Sequence, residues 1–593
     1  MITLNKVKIV KSVAIVMGLT TLFVTPRLTF DPVNLPKLFV LIILGVSLIP
    51  VALNSVLELR HSHKLDFFIL SILFFIITLM ICGLTNGRAS LTQQLWGVFG
   101  RNTGFVCYFS LFVLSITLYR LSTEESTLIL LKIFRITSYS VTFYAVVQFA
   151  NLDPIKWQTR GQVGFSTLGN INFSSALFGV SIVYFFALIA SRNLPIPTLV
   201  FYSVMILIDS LIIWFSGSLQ GLLIAVFGIW MLVGILIYTR KQNIYLKFTF
   251  FGSSFLSVLA GIPGLFGFGP LSSILRQETM IFRSDYWYAA ISMMKKYPIN
   301  GIGLDSFGDY YRRFRSAEAV TRTEAGRVSD TAHNVFLDVG SGAGIFAGIL
   351  LVLIFSVVFF KLLRIVCADF RSLNKNSNIR SDAAWLKFCT LLIYGSLSFQ
   401  LLFSINQIGL AVWTWGFLGI AAKFSRSDFN SQDTKTYTLK ENRSRVNMRE
   451  IAGIKFRISR NYLLSTILMS IVIWVYFFPV LKSDHEFSVA YKEGNIKALS
   501  QILRHKDAPA YYGEVALELC VQSSLRNESL ELARYLTQKY PNRFYPWYVL
   551  FAHVDSTDIE RQSASKMLQF LDPQNFALKS EILLAEANRV EKS

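Results

Sequence analysis

The chain has 593 residues, of which 53% are hydrophobic and only 16% charged, with a formal net charge of +21. A mean hydropathy of +0.49 excludes an ordinary soluble protein, because no soluble domain needs so much apolar material. Five scattered cysteines, an odd number, suggest neither a disulfide framework nor a metal-ligand spacing.

The apolar residues gather into about thirteen runs near the length that spans a bilayer. They lie near 9–24, 37–53, 66–84, 104–119, 127–150, 171–190, 198–215, 220–237, 248–266, 341–363, 384–405, 407–424 and 461–481. Lys6, Lys8 and Lys11 precede the first run, which ends at Thr25-Pro26-Arg27 without a small-residue cleavage pattern, so no cleavable signal peptide is expected. The segments Arg60 to Lys64, Arg240 to Lys247, Lys361 to Arg380 and Lys423 to Arg460 are all basic. With the N-terminus inside and thirteen spans, each falls on the cytoplasmic side, where basic residues set topology. The positive charge therefore reads as a topology signal. No aromatic stacking pattern accompanies it, and no nucleic-acid partner is expected.

The same parity places 25–36, 85–103, 151–170, 267–340 and everything after 482 outside. The organisation expected is a polytopic membrane domain over 1–424, a basic cytoplasmic linker over 425–460 that touches anionic lipid, a last span over 461–481 and an extracytoplasmic helical domain over 482–593. The loop 267–340 is far longer than a connection needs to be, which marks it as functional. Within it, Arg276 to Lys296 reads as an amphipathic helix on the bilayer surface, with Phe282, Trp287, Ile291 and Met294 on one face. Pro298 stops it, and Gly301-Ile302-Gly303 turns the chain. Beyond 485 the sequence becomes polar and helical, punctuated by Pro541, Pro546 and Pro573. Leu532-Ala533, Tyr540-Pro541-Asn542, Trp547, Leu550, Ala564, Leu568 and Leu571 to Asn575 resemble tetratricopeptide repeats, which stack helical hairpins into a concave surface. An unrelated small helical bundle is the alternative.

His333 is the one imidazole that the membrane domain offers on its expected outer face. His61 and His63 sit in a basic loop, and His485, His505 and His553 lie in the C-terminal part. Histidine is the side chain best suited to take and return a proton near neutral pH. Three outer segments carry arginines: Arg101 in Phe99-Gly100-Arg101-Asn102-Thr103-Gly104, Arg160 in Gln158-Thr159-Arg160-Gly161, and Arg283 ahead of Trp287. A guanidinium stays charged and donates two parallel hydrogen bonds to a phosphate. Asn170 and Asn172, in Leu168-Gly169-Asn170-Ile171-Asn172-Phe173, either cap the following helix or hydrogen-bond a sugar or diphosphate.

Phe-Gly-Arg-x-x-Gly at 99–104, Leu-Gly-Asn-x-Asn-Phe at 168–173, Arg283 with Trp287 and Pro298-x-x-Gly-x-Gly, and His333-Asn334 followed by Gly342 and Gly344 together resemble the O-antigen ligase and polymerase superfamily of bacterial membrane glycosyltransferases. The resemblance covers about residues 10–425. It implies an all-α, GT-C-like polytopic membrane protein of about 12–13 transmembrane helices with a small helical-repeat domain, in the bacterial cytoplasmic membrane, with its catalytic loops and C-terminal domain outside. The implied activity is transfer of a glycan from undecaprenyl diphosphate to an acceptor hydroxyl, without metal or other cofactor. His333 and Arg283 would be catalytic, with Arg160, Arg101, Asn334, Asn170 and Asn172 binding substrate. The implied partners are the lipid-linked donor, a saccharide, lipid or protein acceptor, membrane lipids, and a protein docked on 482–593. One departure stands out: where family members carry a Ser-Arg pair, this chain reads Ser216-Gly217-Ser218-Leu219-Gln220-Gly221.

A repeat-unit polymerase and a protein O-oligosaccharyltransferase share these motifs. From other classes, a transporter or flippase is disfavoured, since no paired inverted halves are visible and few ionisable residues lie mid-span, Asp209 being the clearest exception. A non-catalytic envelope assembly protein would depend on 485–593 and not on His333.

Overall fold

A long apolar run in a bilayer can satisfy its peptide groups only within a helix or a closed barrel, and helices occupy every run. The computed structural model describes residues 2–62, 66–157, 163–191, 194–239, 244–265, 268–269, 272, 278–322, 328–373, 381–426, 455–458, 460–505 and 508–590. The membrane domain opens with α1 (Lys6–Leu22), α2 (Asn34–Ser62), α3 (Phe67–Thr85), the short α4 (Leu91–Trp96), α5 (Phe105–Leu121), α6 (Glu124–Phe149), α7 (Ile171–Ser191), α8 (Ile196–Ser216), α9 (Leu219–Thr239) and α10 (Ile244–Leu265). The long loop contains α11 (Glu278–Lys296), α12 (Phe307–Phe314), α13 (Ala317–Arg322) and α14 (Val335–Ala343). Then follow α15 (Ile345–Leu373), α16 (Ser381–Gln400), α17 (Ile408–Phe424) and α18 (Arg460–Lys492). Eight helices among the described residues are long and apolar enough to cross a membrane. Phe105–Leu121 and Ile408–Phe424 are shorter and apolar. The chain is an all-α, multi-pass membrane protein.

Helix packing is driven by close approach. A side chain at Gly419 would meet the Ser115 carbonyl oxygen at 2.2 Å, so α17 lies almost backbone to backbone on α5, the arrangement small residues allow between apolar helices. Trp413 and Trp415 are buried in the centre. The Trp413 indole donates to the Thr21 hydroxyl at 2.9 Å, and that hydroxyl donates to the Gly409 carbonyl at 2.8 Å, tying α17 to α1. Lys37 is fully buried, and its ammonium donates to the Thr21 and Phe23 carbonyls at 2.9 and 2.8 Å. It thus satisfies acceptors that the C-terminus of α1 leaves open.

The two ends of the bundle are distinct. At one, Asp66 caps α3 and accepts from Arg426 at 3.1 Å and from the Tyr119 hydroxyl at 2.5 Å. Arg371 lies over the Tyr238 ring at 4.3 Å. A short strand, Ile2–Asn5, pairs antiparallel with Lys455–Ile458, the one departure from an all-helical reading among the described residues. At the other end meet the loops that parity groups together. Asn34 donates to the Gly100 carbonyl at 2.7 Å, and Gln407 donates to Asn34 at 3.2 Å. The turn at Phe30 and Asp31 reaches α18, where Asp484 accepts the Phe30 amide at 2.6 Å and the Asp31 amide at 3.3 Å. Most of the basic linker, 427–454, lies outside the described residues.

α18 runs for 33 residues with Pro479 inside it, so the expected last span, 461–481, and the start of the C-terminal domain share one helix. Six helices follow: α19 (Ile496–Leu503), α20 (Ala510–Gln522), α21 (Arg526–Lys539), α22 (Phe544–Ala552), α23 (Asp558–Leu571) and α24 (Phe576–Val590), each packed on the next. Their shared core includes Leu517, Cys520, Ala533, Leu536, Ala564 and Leu568. This domain sits on the loops of the site end. Phe99 stacks on Tyr511 at 5.0 Å, Arg543 pairs with Asp309 at 3.0 Å, and Arg315 pairs with Asp572.

α11 differs from the expected interfacial helix. Its buried residues include Arg283, Asp285, Ala289, Ala290 and Met293, while Tyr288 and Ile291 are exposed. The alanines and Met293 pack against Ile302, Phe307, Tyr310 and Tyr311. The helix begins at Glu278 in the structure, and Arg276 lies outside the described residues. The inward face is set by small residues fitting the rest of the loop, not by the largest apolar side chains.

Candidate active site

His333 adopts φ +49, a left-handed conformation that is strained for a residue with a side chain. The surroundings impose it. The Asp338 carboxylate accepts the Ala332 amide at 2.6 Å, and the Ser329 hydroxyl donates to the Thr331 carbonyl at 2.7 Å. On the other flank Asn334 caps α14, its side-chain oxygen accepting the Phe336 and Leu337 amides at 3.1 Å each. The Asn334 side-chain nitrogen donates to the Leu402 carbonyl at 2.8 Å. Both ends of the carboxamide are therefore engaged by protein, and Asn334 fixes the backbone beside His333. The α14 C-terminus closes on the Pro298-x-x-Gly-x-Gly turn: the Ile302 and Gly303 amides donate to the Ser341 and Gly342 carbonyls at 2.9 Å each. Gly301 (φ +61) has no room for a side chain, which would meet the Gly342 backbone at 2.4 Å. The two glycine motifs thus form one structural joint.

The imidazole stacks on Tyr286, ring centroids 5.5 Å apart. Burial pushes its pKa down to about 4, and the Arg101 and Arg283 guanidinium charges add to that push while Asp330 opposes it. His333 is therefore neutral at physiological pH and able to accept a proton. On this geometry the acid limb of activity for the free protein is expected near pH 4 rather than near 6.5. A kcat/KM profile from about pH 3.5 to about pH 8 checks this, and an inflection at or above about 6 would contradict it.

Arg283 is buried, with burial lowering its pKa. Its guanidinium donates to the Met280 thioether at 3.4 Å, a weak acceptor, and pairs with no carboxylate among the described residues. One turn on, the buried Trp287 indole N–H has no hydrogen-bond partner. A buried indole N–H without an acceptor is costly, and beside it Arg283 meets only a weak thioether acceptor, so an anion here would engage both. Arg101 reaches the same place from the other side of the chain. It pairs with Asp330 at 3.1 Å. Its loop is clamped by Asp305, whose carboxylate accepts the Val98 and Thr103 amides at 2.8 and 3.0 Å.

The structure thus gathers His333, Arg283 and Arg101. Asn170 and Asn172 are placed elsewhere. Asn170 accepts the Asn172 amide at 2.8 Å at the start of α7, and Asn172 accepts the Ser218 hydroxyl at 2.9 Å, which in turn meets Ser175 at 2.7 Å. No hydrogen bond or ion pair joins this cluster to His333 among the described residues, and its bonds tie α7 to the turn ahead of α9. Ser218, in the stretch that lacks the Ser-Arg pair expected from the resemblance, is one of its members. Arg160 lies outside the described residues. Asp209 accepts the Thr142 hydroxyl at 2.7 Å, a link between α8 and α6. Asp305 and Asp338, which hold the two loops bearing Arg101 and His333, were not singled out from the sequence. The only signal was their position in the Gly-x-Gly and His-Asn segments.

Residues 203–352 match the family model described as O-antigen ligase. The match includes His333, Arg283, Asp305 and Asp338 and supports glycan transfer as the class of activity. Arg101, Asn170 and Asn172 precede the matched segment. A search of curated proteins returns no match.

Proposed function

We propose that the protein transfers a glycan from an undecaprenyl-diphosphate-linked donor to an acceptor hydroxyl at the outer face of the bacterial cytoplasmic membrane, as a ligase and without a metal. The observation that carries this reading is a neutral imidazole beside two guanidiniums, one of them buried with no carboxylate partner among the described residues. His333 accepts the proton of the acceptor hydroxyl. The oxygen bonds to the anomeric carbon as the bond from that carbon to the diphosphate oxygen breaks. The electron pair leaves with the diphosphate, and Arg283 and Arg101 stabilise the growing charge. Arg101 must loosen its bond to Asp330 to do so, and the half-exposed Asp330 carboxylate can turn to water. The C-terminal domain, read as tetratricopeptide-like, borders the site and would orient the acceptor or a protein partner.

The test is the pool of lipid-linked glycan in cells. A strain lacking the protein is expected to accumulate undecaprenyl-linked glycan, and wild-type protein to clear it. A product that leaves the lipid identifies a ligase, whereas a product that stays lipid-linked and lengthens identifies a polymerase. A donor pool unchanged by loss of the protein would refute glycan transfer.

A further inference from the structure

Two and three residues before His333, Thr331 and Asp330 line a small cleft. Its polar lining also includes Asp305, Asp338, Ser306 and Asn406, and no lysine or arginine. The enclosed part is about 30 Å³, the space of one water-sized group. Asn406 comes from the loop between α16 and α17 and is 4% exposed. The Tyr108 hydroxyl, which also lines the cleft, engages one end of its carboxamide, and no other protein group among the described residues satisfies the carboxamide. A buried carboxamide with an end left unsatisfied is costly and points to an occupant. The Asp338 carboxyl spends one oxygen on the Ala332 amide and makes no other hydrogen bond among the described residues.

The lining selects the occupant. The phosphates of a donor are disfavoured by three carboxyl groups and favoured beside Arg283 and Arg101. No group of three His, Cys, Asp or Glu residues is placed for a metal ion among the described residues. A hydroxyl fits: it donates and accepts at once, meeting a carboxyl oxygen on one side and the carboxamide on the other. Burial raises the Asp338 carboxyl to about 8 and that of Asp305 to about 6. Near neutral pH Asp338 therefore also presents both a donor and an acceptor.

We propose that this cleft is an acceptor-saccharide subsite, seating a hydroxyl or hydroxymethyl group of the acceptor sugar between Asn406 and Asp338, next to the hydroxyl that reacts at His333. The inference rests on the glycan-transfer reading and deepens it. Donor and acceptor are sorted by charge, the anionic diphosphate on the arginines and the neutral polyol on the acidic cleft. Asp338 links the two roles, because the carboxyl that lines the cleft also holds the His333 turn.

The test uses the full-length protein in lipid nanodiscs, with lipid-linked glycan and acceptor membranes from a strain lacking it. Asn406→Leu keeps the volume and removes the polar groups. It is expected to raise the KM for acceptor about tenfold or more, with kcat at saturating acceptor within about twofold and with the thermal shift given by undecaprenyl diphosphate unchanged. Asn406→Asp, which keeps an oxygen but loses the N–H donors, should give a smaller rise. If Asn406→Leu does not fold, Asn406→Asp and Asn406→Ser carry the test. An unchanged acceptor KM in a folded variant overturns the subsite and leaves the cleft holding a structural water only. A fall in kcat and in undecaprenyl diphosphate binding, without a change in acceptor KM, also overturns it. Absence of transfer by the wild-type protein would refute the underlying glycan-transfer reading instead, so the two failures are distinguishable.

Discussion

His333→Ala is expected to lower glycan transfer by about 10²- to 10⁴-fold, while the protein still inserts and runs as a single species in detergent. The expectation follows from the imidazole's position rather than its identity alone. It is stacked on Tyr286 and kept unprotonated by burial and two guanidiniums, and the turn that carries it is held from both sides. Removing the ring leaves that scaffold intact, since its hydrogen bonds are made by the backbone and by neighbouring residues. The loss should appear in kcat, with donor binding preserved. Arg283→Met should instead weaken both donor binding and turnover, by about 10²- to 10³-fold in rate. The buried guanidinium has no carboxylate partner among the described residues, and the diphosphate would supply an acceptor in the complex. A well-folded His333→Ala variant with full activity would rule out the proposed mechanism.

Asp572→Ala is expected to produce the largest structural effect. Asp572 is completely buried and accepts from Arg315 at 3.1 and 2.5 Å, from Arg312 at 3.2 Å and from Asn575 at 3.2 Å. Arg315 is 2% exposed. Removing one member of such a pair leaves an uncompensated buried charge, at a cost of about 3–5 kcal/mol. The cost falls on the joint between α12 in the membrane-domain loop and α23 in the C-terminal domain. Hydrogen exchange should speed up over 307–315 and 558–575, and limited proteolysis should release the C-terminal domain. The membrane bundle should keep its own melting transition. Replacing both partners, Arg315→Met with Asp572→Leu, should recover much of the loss, because a packed apolar pair avoids the desolvation that the ion pair must overcome. Failure of the double variant to recover any stability would show that Arg312 and Asn575, not Arg315, carry the joint.

Legibility differs from residue to residue. Each apolar run holds a helix because length and hydropathy are local properties and the bilayer leaves the backbone few choices. The loops grouped by parity do meet at one end. Arg101, Arg283 and His333 were legible as candidates because guanidiniums and imidazoles are rare on that side. Asn334 and Asn170 show the limit. From the sequence each could bind substrate or fix backbone, and the structure engages both with backbone amides at a helix start. Their carboxamides satisfy amides a few residues away, a use that spacing permits but does not demand.

Sequence alone establishes the class: an all-α membrane protein, with its charges sorted to two ends and one histidine among arginines in its longest polar loop. Which residues meet is settled by packing. Asp305 clamps the Arg101 loop from about two hundred residues away in the chain. Asp338 holds the His333 turn, Asn406 lines the acidic cleft beside Tyr108, and Asp572 ties the C-terminal domain to α12. The reason is physical. Hydropathy and charge act over a few residues and against a uniform solvent, so a single chain reveals them. A hydrogen bond between distant segments depends on the packing of whole helices, and nothing in either segment alone specifies its partner.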